Sequence, residues 1–450
     1  MIRFIVAGLL GAAMIAPQDD PPAPEPARPN DGPDTQLSRS VRRISERLAQ
    51  VRGEAFDRDP VAIRSPEAMA TVVAEARAYR AVGPQRLEAR GRAWNDIGFG
   101  GPASPQLLWL ALAQDLPGID LDVDGKRVLV SPRLLTDEDY GVETDEAIYV
   151  PDGQGGVHEF RPDRDAAQDR SDDPADPPPG DFLLTTGVRP DEPLLAHYLI
   201  HLRQLERRGH DSVRPTTDEL LAASAWAEGE ANLVSLYFLF QGVGLARTVL
   251  TGPVGPGDFL EGRLIPEAVQ RATPLDAMLL SFVYERGYDF AIERWRAAGW
   301  DVFHRPPPRT THELLSPDAP AARLDWPEAE SPGEGFTLTD TDRLGQYGVE
   351  SLVSVWTGRS GAARGWAGDR LTRWERSPDD GVTVWETRWA SAADAARFAA
   401  DFARVVQRRD PSTKTETSAE MSRRSLRSRF RLFAVTVEER GVRIVVEPAG

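Results

Sequence analysis

The spacing of apolar residues predicts a mainly helical first part of the chain. In residues 38–52 and 66–82, apolar side chains recur every three or four positions, which is the period of one helix face. Residues 105–116 have the composition of a shorter apolar helix, and a helical pattern runs through residues 192–299. The Val-Leu-Val run at 128–130 is a candidate strand within this part.

The last part of the chain, from about residue 335, follows a different pattern. Residues 382–389 alternate as a strand does, whereas residues 392–408 have the spacing of an amphipathic helix. Residues 430–437 and 442–446 are candidate strands whose short connection predicts a hairpin. Together the two patterns predict an α+β fold, with a mainly helical domain followed by a small α+β domain.

The first residues have the pattern of a secretory signal peptide. Arg3 gives a short positive region, an apolar stretch extends to Ala16, and polar and acidic residues follow Pro17. The stretch is short for a membrane-spanning helix, and no later apolar run is long enough to span a bilayer. We expect export to the periplasm or extracellular space, with no stable span in the mature protein. An uncleaved N-terminal anchor is the alternative.

Segments rich in proline and aspartate divide the rest of the chain. Residues 17–36 are predicted to be a disordered linker after a signal peptide at 1–16. A mainly helical domain is expected at 37–333, interrupted by a flexible insertion at 152–180. The small α+β domain takes residues 334–450.

Composition excludes several classes of function. The chain has 450 residues, a formal net charge of -17 and no cysteine. An acidic protein is a poor partner for nucleic acid and for anionic membrane surfaces. Without cysteine there are no disulfides, thiolate nucleophiles or cysteine zinc ligands.

Two of the six histidines lie four positions apart in an apolar helical segment. On a helix, this spacing places the imidazoles of His197 and His201 on one face, one turn apart. Two imidazoles at this separation can bind one zinc ion. The spacing alone does not distinguish a metal site from an incidental pair of histidines.

A second helix brings a carboxylate to the same level. The residues from Thr216 to Glu219 fit a capping box, so a helix should begin there and continue through Glu228. In an antiparallel pair, about 16 Å of this helix would place Glu228 level with the two histidines. Glu230 points about 200° further round the helix and is the weaker candidate.

These residues resemble the zinc site of the gluzincin metallopeptidases. That family has His-Glu-x-x-His on one helix and Glu-x-x-Ala on a later one, and residues 195–204 and 227–231 correspond to the two segments. More closely, the chain resembles a group of exported, mostly uncharacterised bacterial proteins of this type. Further similarities follow in the same order at residues 284–290, 306–317, 365–370, 385–389 and 394–395.

The resemblance implies a zinc ion held by His197, His201 and Glu228, with a fourth position open. It also implies that the general base is lost, because Tyr198 stands where the family has the catalytic glutamate. That glutamate is the general base that takes a proton from the attacking water. A phenol with a pKa near 10 is a poor base at pH 7.

We therefore expect an exported metallopeptidase-like protein with impaired catalysis, which binds a polypeptide or protein partner through its former substrate cleft. An active zinc hydrolase with another general base is one alternative, and a structural envelope protein without metal is another. His312 and Glu313 lie in one of the similar segments, and we interpret His312 as a structural loop histidine.

Overall fold

The computed structural model describes residues 35–56, 59–64, 82–113, 119–122, 127–130, 148–151, 157–160, 192–208, 216–241, 250, 273–322, 324–417 and 423–449. The predicted signal peptide and almost all of the predicted linker lie outside these residues. So do residues 66–81 of the predicted helix and residues 152–156 and 161–180 of the predicted insertion.

Helices form most of the first part of the chain, as their apolar spacing predicts. The first helix begins at Thr35, so the last two residues of the predicted linker are helical, and its buried apolar face packs on a later helix. The helices of this part are α1 (Thr35–Arg52), α2 (Pro84–Ile97), α3 (Ser104–Ala113), α4 (Glu192–Arg208), α5 (Thr217–Gln241), α6 (Pro274–Ser281), α7 (Gly287–Ala298) and α8 (Thr311–Leu315). A π-helical turn, Phe282–Arg286, joins α6 to α7, and a 3₁₀ helix, Gly299–His304, follows α7.

Two small groups of strands lie among these helices. β1 (Val61–Arg64) is parallel to β3 (Arg127–Val130), which is antiparallel to β2 (Ile119–Asp122). The strand expected at 128–130 is confirmed. β4 (Ile148–Pro151) and β5 (Val157–Phe160) form an antiparallel pair. Residues 157–160 of the predicted insertion are therefore a paired strand, because their backbone groups bond to residues six to twelve positions earlier.

The last part of the chain is a seven-stranded antiparallel sheet in the order β6-β7-β8-β12-β11-β10-β9. Its strands are β6 (Thr337–Asp342), β7 (Trp366–Ser377), β8 (Asp380–Trp389), β9 (Lys414–Thr417), β10 (Arg423–Arg427), β11 (Arg431–Glu438) and β12 (Gly441–Pro448). The expected hairpin is the β11–β12 pair. Helices α9 (Gly345–Thr357) and α10 (Ala392–Arg409) complete an α+β unit, as predicted.

One hydrophobic core joins the two parts. Phe398 and Phe402 of α10 pack against Trp385, and the same buried cluster includes Trp94 of α2 and Trp226 of α5. Helix α2 lies against β6, β7 and β8 of the sheet. The boundary expected at 333/334 therefore marks where the sheet unit begins along the chain, while the core continues across it.

Polar contacts reinforce the packing of α2 on the sheet. Arg90 is fully buried and donates to both carboxylate oxygens of Asp340 at 2.8 and 3.1 Å. Arg373 of β7 donates to Asp96 at 2.7 Å, with both side chains buried. Neither ion pair faces water, so each is a fixed link between elements that are distant in sequence.

Candidate metal centre

Helix α4 presents two imidazoles to its neighbour α5. Its buried apolar residues, among them Leu195 and Leu199, belong to the cluster that α1 also joins. This packing fixes the rotation of α4 about its axis. His197 and His201 lie one turn apart, and their Nε2 atoms are 2.9 Å from each other.

Helix α5 runs antiparallel to α4 and begins where the capping signal predicts. The Thr216 hydroxyl accepts from the Glu219 backbone N–H at 3.3 Å, and the helix starts at Thr217. Near one end of the pair Ser235 donates to the carbonyl of Pro193 at 2.8 Å. The predicted antiparallel pairing is confirmed, and it brings Glu228 level with the histidines.

His197, His201 and Glu228 form one cluster. Glu228 Oε2 lies 3.4 Å from His197 Nε2, and Glu228 Oε1 lies 3.4 Å from His201 Nε2. The three side chains are only 10–13% exposed. Each offers one ligand atom within 4.8 Å of the others, so the cluster could hold a metal ion.

The hydrogen bonding of Glu228 fits a bound cation. Its Oε2 is buried and has no hydrogen-bond partner among the residues that the structure describes. Buried carboxylate oxygens are usually satisfied, because desolvating them without a partner costs free energy. A cation between the two imidazoles and this carboxylate would satisfy Oε2.

Gln204 fixes the orientation of one imidazole. Its Oε1 lies 3.0 Å from Nδ1 of His201, so Nδ1–H can donate to the amide and leave the Nε2 lone pair toward the cluster. The amide nitrogen of Gln204 donates to Ala227 O at 3.0 Å and to Glu230 Oε2 at 2.9 Å. Gln204 belongs to the segment that resembles the peptidases, but its role was not predicted. Its position three residues after His201 was the available signal.

Glu230 lies outside the cluster, as the helical angle predicts. It is 1% exposed and accepts from Arg52 at 2.6 Å and from Arg207 at 3.2 Å. The Arg52 guanidinium is also centred about 5.0 Å from the ring of Trp300. Burial lowers the pKa of Arg52, and the charge of Glu230 opposes that shift. Sequence reasoning missed Arg52, because nothing local connects it to α5.

Tyr198 is a buried neighbour of both histidines. Its side chain belongs to the apolar cluster between α1 and α4 and is 2% exposed. Its ring centroid lies 5.5 Å from that of His197 and 6.2 Å from that of His201. The position at which the gluzincin motif has its glutamate is therefore occupied here by an aromatic ring inside the core.

A pair of glycines allows α5 and α7 to pack closely. A Cβ on Gly229 would lie 2.1 Å from the carbonyl oxygen of Gly287, and one on Gly287 would lie 2.2 Å from the carbonyl oxygen of Ala225. The backbones of α5 and α7 are therefore in contact beside Glu228. The π-helical turn, Phe282–Arg286, ends at this crossing. Close packing here explains the glycine in both segments that resemble the peptidases.

The sheet unit holds the first turn of α5. Thr217 donates from its backbone and its hydroxyl to Asp342, both at 2.7 Å. Asp218 is fully buried, and it accepts from Thr311 at 2.7 Å and from Arg343 at 2.9 Å. Burial raises the pKa of Asp218, and the positive charge of Arg343 opposes the rise. Residues 335–450 thus anchor the helix that carries Glu228.

Asp369 supports this anchor from the segment at residues 365–370, one of those named above for their similarity. It accepts from the backbone N–H groups of Leu344 and Gly345 at 3.0 Å and from the Trp385 indole at 3.1 Å. Burial raises its pKa to about 6. A Cβ on Gly345 would lie 1.9 Å from Asp218 Oδ1. Glycine is therefore required at this position, which lies between the carboxylates of Asp218 and Asp369.

His312 has partners at both ring nitrogens. Nδ1 lies 2.6 Å from Gln346 Oε1, and Nε2 lies 3.0 Å from Pro320 O. The ring is buried, with its centroid 5.6 Å from that of Trp366. This environment agrees with the interpretation of His312 as a structural histidine, but the residue lies in α8 and not in a loop, because Thr310 caps a helical turn there.

The comparisons with known proteins concern the sheet unit. Residues 335–450 match a family model described as a domain of unknown function, DUF8575. No curated protein and no solved structure shows significant similarity to the chain. Within the described ranges, no helix combines the length and apolar character needed to cross a bilayer. The family model thus covers the anchor of α5 and not the metal centre itself.

Proposed function

We propose that this chain is an exported, metallopeptidase-like protein that binds zinc through His197, His201 and Glu228 and hydrolyses peptides poorly. The observation that carries the proposal is the convergence of two imidazole nitrogens and one buried carboxylate from paired helices. In an enzyme with a working general base, zinc bound there would polarise a carbonyl or activate water. In a protein that lacks the base, the ion would still link the two helices.

The separations between the ligand atoms suit zinc. Bonds of about 2.0–2.2 Å at tetrahedral angles place the ligand atoms about 3.3–3.6 Å apart. The two separations of 3.4 Å between imidazole and carboxylate atoms lie in this range. The 2.9 Å between the Nε2 atoms of His197 and His201 requires a small opening of the pair. Gln204 supports His201 in the way that metal-binding histidines are usually supported.

The surroundings of the centre favour impaired catalysis. Tyr198 replaces the general base, and loss of such a base typically lowers the rate about 10²–10⁴-fold. The nearest spare carboxylate on α5, Glu230, is engaged with Arg52, Arg207 and Gln204 and cannot serve without breaking those contacts. With the base replaced, the resemblance to the peptidases supports another activity. This is binding of a polypeptide or protein partner through the former substrate cleft.

Zinc reconstitution and a peptidase assay test the two halves of this proposal. The full chain, stripped of metal and dialysed against zinc, should retain about one zinc ion and melt at a higher temperature. Glu228→Gln keeps the volume and should lose both effects. No retained zinc with an unchanged melting temperature would contradict the metal assignment and favour a structural envelope protein.

The second half concerns hydrolysis. The native chain should show no zinc-dependent cleavage of a fluorogenic casein substrate, and Tyr198→Glu should gain some. Tyr198→Phe is the matched control, since it keeps the ring and adds no base. Clear zinc-dependent turnover by the native chain would contradict impaired catalysis and favour an active hydrolase with another base.

A further inference from the structure

A separate cavity of about 300 Å³ lies on another side of α5. Its lining comes from α5, α7 and the proline-rich segment that leads into α8 and beyond it. Exposed side chains at its edge, among them Arg305 and Pro317, leave it open to solvent. None of the three metal-centre residues lines it. Its size is at the lower end for a ligand site, which suits one or two side chains of a bound segment.

Aromatic rings and prolines form the apolar part of the cavity. The Trp226 and Phe290 rings meet edge to face, with centroids 5.6 Å apart. Pro306, Pro308 and Pro317 also line the cavity. Grooves lined by aromatic rings bind extended peptide segments, and rigid aromatic side chains lose little conformational entropy on binding.

The Trp226 indole has an unused donor. The residue is 3% exposed, and its Nε1 has no hydrogen-bond partner among the described residues. A buried indole N–H usually has an acceptor. An oxygen of a bound segment would supply one, so this donor is an independent indication of a ligand with carbonyl or carboxylate groups.

Two arginines add positive charge. The guanidinium of Arg294 lies 4.9 Å from the centroid of the Phe290 ring, and Arg305 lies across the lining on the proline-rich segment. Neither arginine forms a salt bridge with another described residue. The one acidic residue of the lining, Glu313, accepts from Arg309 N at 3.3 Å and Thr310 Oγ1 at 3.2 Å. With two arginines and one carboxylate, the lining carries a net positive charge.

We infer that this cavity binds an acidic peptide segment, with an apolar side chain against Trp226 and Phe290 and neighbouring carboxylates paired with Arg294 and Arg305. Charge complementarity sets the acidic character of the segment, and the apolar lining sets the side chain beside it. Trp226 lies two positions before Glu228, about 200° round α5, so this site is independent of bound zinc. It assigns a partner class to a surface outside the former catalytic cleft.

The test uses three synthetic peptides, Ac-Asp-Pro-X-Pro-Asp-NH2 with X as Leu, Phe or Trp, and their Asn counterparts. Binding to the full metal-free chain is measured by isothermal titration calorimetry at low salt. At least one acidic peptide should bind, with its Asn counterpart tenfold or more weaker. Arg294→Gln and Arg305→Gln should each weaken binding roughly tenfold, as expected for a charge-assisted contact.

Two further variants make the result specific. Trp226→Phe keeps an aromatic six-membered ring but removes the N–H with the rest of the indole, and should weaken binding roughly fivefold. Arg424→Gln, at an exposed arginine of β10, makes the same change in net charge elsewhere and should leave binding unchanged. The proposal is overturned if no acidic peptide binds at millimolar concentration, if the Asn peptides bind as tightly, or if Arg424→Gln weakens binding as much as Arg294→Gln and Arg305→Gln.

Discussion

Replacing Glu230 with glutamine removes one charge and almost no volume from the network behind His201. The carboxylate of Glu230 pairs with Arg52 at 2.6 Å, where the two side chains are 1% and 3% exposed. Burial lowers the pKa of Arg52, and the negative charge of Glu230 opposes that shift. The substitution also places an amide N–H group opposite that of Gln204, which now donates to Glu230 at 2.9 Å.

The expected loss of stability is large for a conservative change. Removing one partner of a buried ion pair typically costs about 3–5 kcal/mol, because the other charge stays buried and uncompensated. We expect about 3 kcal/mol for Glu230→Gln, since the amide oxygen can still accept from Arg52. The displaced Gln204 no longer holds His201, which should lower zinc affinity about 10–100-fold.

Urea unfolding followed by circular dichroism measures the loss of stability, and competition with a chelating dye measures the loss of zinc affinity. Asp289→Asn is the control, because its ion pair with Arg286 spans 3.4 Å between side chains that are 56% and 64% exposed. Such a pair contributes about 0–1 kcal/mol. A Glu230→Gln chain within about 0.5 kcal/mol of wild type, with unchanged zinc affinity, would refute a dependence of the centre on this buried charge.

Three other substitutions probe the surroundings of the centre. Gly229→Ala gains about 1 kcal/mol of helix propensity but forces apart two backbones, so we expect a net loss of about 1–3 kcal/mol of stability in urea unfolding. Gly101→Ala is the control and should be neutral, because there is room for a Cβ at this position. A Gly229→Ala chain more stable than wild type would contradict the close contact between the backbones. Gln204→Leu should lower zinc affinity about 10–100-fold with the fold retained, and an unchanged dye-competition curve would exclude its orienting role. Burial raises the pKa of Asp369 to about 6, above an unfolded value of about 3.9. Between these values the folded chain binds a proton that the unfolded chain does not, so this group's contribution to stability falls as pH rises from about 4 to about 6. Asp369→Asn should remove that slope, and parallel stability curves across this range would contradict it.

Features encoded by neighbouring residues could be predicted from the sequence. The spacing of apolar residues gave the helices, and the residues from Thr216 to Glu219 gave the start of α5. With both helices and the loop length known, the height of Glu228 followed from the rise per residue. The metal cluster is local in this sense, because His197, His201 and Glu228 lie on consecutive helices with a short connection.

Features that join distant residues could not be predicted. Arg52 and Glu230 are separated by 178 positions, and no pattern near either one identifies its partner. The same holds for the parallel pairing of β1 with β3 and for the packing of α2 on the sheet, since each joins segments that are far apart in the chain. The anchoring of α5 by Asp342 belongs here too, since a buried carboxylate is recognisable only once its donors are in place.

X-ray absorption spectroscopy at the zinc edge tests the metal centre most directly. The full chain, loaded with one equivalent of zinc, should show a first shell of nitrogen and oxygen at about 2.0–2.1 Å, with the outer-shell signature of two imidazoles. His201→Ala should reduce that signature to one imidazole or abolish binding. A zinc ion with no imidazole, or a spectrum that His201→Ala leaves unchanged, would show that His197, His201 and Glu228 do not form the site.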